Sequence, residues 1–178
     1  MIAGAVLLAL AGPGAAVCAN IAEAPAGAFL ADDNAHRALR AELGVATPTD
    51  PEHITIYAEG GHLATSRISI IATHRPDGRW AVDAVGRSKI WVDGATPNDM
   101  PHVTRVLSVE DGEQIDRLLD DPAFWHSRVA ERDERAPPLH GQIPRRIAAL
   151  TPNCAQHWVT AGDAPPLVAL LDRLITPD

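Results

Sequence analysis

The stretch from Ile54 to Leu107 constrains the fold more than any other part of the chain. It carries short apolar runs of period two separated by turn residues, a pattern that specifies antiparallel strands joined by tight connections. Ile54, Ile56 and Ala58 alternate with Thr55 and Tyr57, and Gly60-Gly61 makes a turn. A second run, Leu63 to His74, contains Ile68, Ile70 and Ile71. Arg75-Pro76-Asp77-Gly78-Arg79 is a hairpin signal, because proline suits the first corner of the turn and Asp-Gly supplies positive φ. Trp80, Val82 and Ala84 alternate on the returning strand. The phase changes at Gly86, which predicts a bulge or bend. Ile90-Trp91-Val92 closes this run, Asp93 to Asp99 reads as a loop, and His102 to Leu107 reads as another strand. Ile143 to Leu150 and Ala155 to Thr160 are further, fainter strand candidates.

Helical spacing appears on either side of this block. Ala35, Ala38, Leu39 and Leu43 line one side of a helix over Phe29 to Leu43, with Gly44 as its stop. Ser108 reads as an N-cap with Asp111 in the third helical position, opening a helix over about 109–120 whose stripe is Ile115, Leu118 and Leu119. Asp121-Pro122 ends it, because the residue before proline disfavours helix. Leu167, Leu170, Leu171 and Leu174 sit at i, i+3, i+4 and i+7, the clearest amphipathic stripe in the chain, in a helix over about 164–175. Ser127 to Pro138 is charged and proline-rich and reads as a long loop. The expected fold is α+β: an antiparallel sheet with an N-terminal, a middle and a C-terminal helix packed on one of its faces.

The N-terminus carries a localisation signal. Ile2 to Ala11 is wholly apolar, Gly12-Pro13-Gly14 breaks it, and the small residues Ala15 to Ala19 follow. That is the layout of a secretory signal peptide, with cleavage expected after Ala19. The interrupted run is too short for a membrane span, which needs about 20 apolar residues, so no span is expected after cleavage. Residues 1–19 therefore read as signal, 20–50 as tail and helix, and 51–178 as a single α+β domain. A cut at that point removes Cys18 and leaves Cys154 as a lone thiol, without a disulfide framework or a cysteine-based zinc site.

Charge bounds the partners. The net charge is −8 and Lys89 is the only lysine. A phosphate backbone requires a basic stripe, and the longest basic run is Arg145-Arg146, so no nucleic-acid partner is expected.

The chemistry-bearing residues are dispersed. None of the eight histidines has another at i+3 or i+4, the helical spacing that points two imidazoles at one ion, so no metal and no cofactor is expected. No G-x-S-x-G elbow is present, and Ser66, Ser69 and Ser88 fall within strands. Cys154 and His157 lie three apart in a strand-like segment and face opposite ways. A catalytic site would have to be assembled from distant residues, with His74, His102 and Asp99 as candidates. Trp91, Trp125 and Trp158 are candidates for lining a ligand cleft in a chain with only 4% aromatic residues. The sequence thus points to an exported, non-catalytic binding or structural domain with a protein or small-molecule ligand. A hydrolase built on the dispersed His and Asp residues is the alternative.

Overall fold

A computed structural model describes residues 26–50, 52–61, 63–126, 143, 145–152, 154–160 and 166–176. The elements run α1 (Ala26–Glu42), β1 (His53–Gly60), β2 (Ala64–His74), β3 (Trp80–Ile90), β4 (Asn98–Val106), α2 (Val109–Asp120), α3 (Pro122–His126), β5 (Arg145–Leu150), β6 (Ala155–Thr160) and α4 (Pro166–Ile175). The strands form one six-stranded sheet in the order β4-β3-β2-β1-β5-β6. Every neighbouring pair is antiparallel. A four-strand meander is therefore extended on its β1 side by a hairpin that arrives after α2 and α3. The α+β class is as the sequence indicates.

The turns form for the reasons read from their residues. Gly78 closes the β2–β3 hairpin at φ 78°, and Gly44 follows α1 at φ 69°. At Ser108 the hydroxyl accepts from Asp111 N at 3.1 Å, which caps α2. The ladder between β3 and β4 shifts register between Ala84 and Gly86, at the predicted bulge. At Gly86 a Cβ would lie 2.4 Å from Met100 Sδ and 3.2 Å from Arg67 O, so a side chain there would crowd the ladder. The shift lets Met100 sit over Gly86 on one face while His102 and Thr104 reach Asp83 on the other.

One face of the sheet holds the main core. Ile54, Ile56, Ile70, Ala72, Trp80, Val82, Ala84, Ile147 and Ala149 meet Ile115 and Leu119 of α2 and the leucines of α4. Burial of such side chains is the main favourable term in folding, about 1.5–3 kcal/mol each. Trp80 is fully covered and satisfies its indole by donating Nε1–H to Asp116 Oδ1 at 2.7 Å.

The structure corrects several sequence expectations. The helices do not share a face: α1 lies against β1 and β2 on the side opposite α2 and α4, where Tyr57, Ser69, Thr73 and Ala148 are buried. The central strands are consequently covered on both faces, and Ser69 to Thr73 are buried without alternation. Among the described side chains of α1, His36, Leu39 and Arg40 are buried, whereas Ala38 is exposed. The apolar stripe found Leu39 but not the polar residues beside it that hold the helix in place. β4 begins at Asn98 rather than His102, because Arg87 and Asp99 pair across the ladder and extend it through polar residues. After α2 ends, Pro122 opens the short helix α3, with Asp121 Oδ1 accepting from Ala123 N. Cys154 is buried at the edge of the core and disulfide-bonded, not a lone thiol. The chain's other cysteine is Cys18, which lies outside the described residues.

Candidate functional site

Among the described residues, a dense cluster of polar chemistry lies between α1 and the sheet. His36 and Arg40 are one helical turn apart, so both project from the same side of α1 onto β2 and β3. Arg40 has no exposed surface. Its Nε donates to Ser69 Oγ at 2.9 Å, one terminal nitrogen donates to Asp83 Oδ1 at 2.5 Å and to Ala46 O at 3.1 Å, and the other donates to Asp83 O at 2.9 Å. A guanidinium buried to this degree is tolerable only when its donors are matched, and here the matching is almost complete.

Ser69 is the shared partner. Its hydroxyl oxygen accepts from Arg40 and also lies 2.7 Å from His36 Nδ1. The His36 ring stands edge-on to Tyr57 at 5.4 Å between centroids, and the Arg146 guanidinium lies 4.7 Å over the same Tyr57 ring. His36 Nε2 is buried with no hydrogen-bond partner. Burial first, and the Arg40 charge second, push the His36 pKa down from 6.5 to about 3, so the ring is neutral near pH 7. Tyr57 is pushed up to about 12 by burial and by Glu59, whose carboxylate accepts its hydroxyl.

Asp83 connects this buried set to the surface. Burial works to raise its carboxyl, but hydrogen bonds from Arg40, His102 and Thr104 outweigh burial and hold it below its ordinary value. His102 Nε2 and Thr104 Oγ1 each lie 2.9 Å from Asp83 Oδ2. Two further arginines secure the same side of the sheet to α1. Arg67 donates to both oxygens of Glu42, at 2.9 and 2.6 Å, and Arg87 bridges Glu42 and Asp99.

The candidate residues named from the sequence are spread over the molecule. His102 is half-exposed and joined to Asp83, not to Asp99. Asp99 is paired with Arg87. His74 is bonded to Glu52 at 2.9 Å and lies against the Trp80 ring. His74 and Asp99 stand opposite Trp80 and Arg87 on β3, positions about 23 Å apart at strand rise. Trp91 is exposed at the end of the sheet. The side chains of Trp125 and Trp158 lie outside the described residues. Among the described residues no group of His, Cys, Asp or Glu is close enough to hold a metal ion. No helix among them is long and apolar enough to cross a membrane.

Sequence reasoning did not find Arg40, Ser69 and Asp83. One signal was present: His36, Leu39, Arg40 and Leu43 share the i, i+3, i+4, i+7 spacing of a buried side. Hydrophobicity alone rejects that reading, because two of the four residues are basic.

The end of the sheet carries a different surface. The β1–β2 and β3–β4 connections lie side by side there, with Ala64 paired to Ile90 and Trp91 N donating to Leu63 O at 3.1 Å. Leu63, Ile90, Trp91 and Val92 are 74, 54, 63 and 61% exposed. The Trp91 indole is held by a 2.8 Å bond from Nε1 to Thr65 Oγ1.

No protein-family model matches the chain, and neither the curated proteins nor the solved structures give a significant match.

Proposed function

We propose that this chain is an exported, non-catalytic binding domain that meets its partner through the apolar end of the sheet. The observation that carries the reading is the contiguous exposure of Leu63, Ile90, Trp91 and Val92 on two adjacent connections. Contiguous apolar surface on a small domain is costly in water and marks contact sites, and tryptophan is over-represented at the centres of such sites. The nearby cations Arg67 and Arg87 are already paired with Glu42 and Asp99. Export is supported by the apolar N-terminal run and by the disulfide at Cys154, a bond that persists in oxidising compartments. The test is site-specific photo-crosslinking in the native cell with the probe at Val92. The expected result is a discrete adduct that is absent when the probe is at Glu113 on α2. No adduct, or equal labelling at both positions, overturns the reading.

A second reading, a hydrolase centred on His102, is favoured by one feature. His102 is half-exposed and has a carboxylate, Asp83, behind its ring, as a general base requires. Turnover of activated esters by the natural chain, lost in His102→Gln, would move the assignment to an enzyme.

A further inference from the structure

His36 occupies a position that accepts a neutral ring and resists a charged one. The ring is buried, Nδ1 is bonded to Ser69, and Nε2 has no partner whichever nitrogen carries the proton. Protonation would put an N–H on both nitrogens and a full charge into this space. Of the charged groups around it, Arg40 acts on the ring most strongly. Arg40 on α1 shares the same Ser69 oxygen, Arg146 on β5 lies over the Tyr57 ring that His36 abuts, and His53 lies on β1. The anions near by are Asp33 on α1 and Asp83 on β3. Asp33 is exposed and paired with Arg37, and Asp83 is taken up by Arg40, His102 and Thr104. Tyr57 on β1 and Ser69 on β2 complete the surroundings, and neither supplies a negative charge at neutral pH.

We infer that His36 is an acid-sensitive latch: its protonation releases α1 from the β1–β2 face while the α2/α4 core on the opposite face stays closed. The two faces differ in what holds them. The α2/α4 side is held by a continuous apolar cluster. The α1 side is held by Leu39 and by the hydrogen-bonded set of His36, Arg40, Glu42, Ser69 and Asp83. Local opening draws on the least stable unit first.

The sign follows from linkage. The folded ring has its pKa lowered to about 3, against 6.5 when released. The open form therefore binds the proton first as pH falls. The latch is intact above pH 6.5 and is lost progressively below it. With these limits the opening constant rises about 25-fold between pH 7 and pH 5.

The test is hydrogen exchange on the full chain, corrected for intrinsic rates, resolved for α1, β2 and α4 between pH 7 and pH 4. The expected result is a loss of protection in α1 of about 25-fold by pH 5, continuing to fall towards pH 4, with α4 unchanged, and no such pH dependence in His36→Asn. Full protection of α1 at pH 4, simultaneous loss in α1 and α4, or the same pH dependence in His36→Asn each overturns the inference. If His36→Asn does not fold, the ring is followed in the natural chain by its imidazole nitrogen shifts. Protonation coincident with α1 opening supports the latch, and protonation with α1 still closed overturns it.

Discussion

Met100 and Gly86 show how one missing side chain shapes a strand. A Cβ at position 86 would stand 2.4 Å from Met100 Sδ and 3.2 Å from Arg67 O. The sulfur is the movable end of a partly exposed side chain, whereas the carbonyl belongs to the ladder. Gly86→Ala should therefore destabilise the fold by about 1–3 kcal/mol, the range for added volume in a filled site. Met100→Ala in the same chain should return part of that loss and leave the fraction due to the carbonyl. Urea melts of the two single variants and the double variant measure this, and strictly additive effects would show that the two residues do not meet. The glycine itself was legible, because alternation breaks phase at that point. What occupies its empty side was not, since Met100 arrives from a strand whose first residues look like a loop. The same limit explains Arg40. Its spacing fits a buried side, but burial of a guanidinium depends on Ser69 and Asp83, which lie 29 and 43 positions away in sequence.

At the scale of elements, those with dense local signals were read well and those defined by distant partners were not. α2 is found where Ser108, Asp111 and Pro122 place it, and α4 where its leucines do. The β2–β3 hairpin follows from Asp77-Gly78. The side on which α1 docks follows instead from cross-sheet hydrogen bonding, which no local period encodes. For α4 the dependence on packing is testable. A ten-residue helix is marginal in isolation, so its stability comes from the surface it buries. Leu171 is fully covered. Leu171→Ala should cost about 2–5 kcal/mol, a transfer loss plus a cavity. Arg117→Ala on the exposed side of α2 should change stability by less than about 0.5 kcal/mol. Equal denaturation midpoints for these two variants would mean that α4 does not close the core.

For the whole molecule, the decisive covalent feature is the bond at Cys154. The residue is 91% covered at the edge of the core, where the β5–β6 turn is tied by Thr151 accepting from Cys154 N. The sequence contains one other cysteine, Cys18, within the small-residue stretch that follows the apolar run. A bond from Cys154 to Cys18 and a leader cut after Ala19 cannot coexist in one mature chain. If Cys18 is the partner, any leader cut falls ahead of it. Closing a loop of that length removes chain entropy from the unfolded state worth about 5 kcal/mol in the simple loop model, with about 2–4 kcal/mol usual in practice. A non-reducing digest of the protein recovered from its native compartment should yield the Cys154 peptide joined to one containing Cys18. Reduction should then lower the unfolding free energy, read from urea melts, by an amount within that range. A freely alkylated Cys154 in a mature chain beginning at Asn20 would restore the later cut, and the fold would then rest on its two non-covalent faces alone.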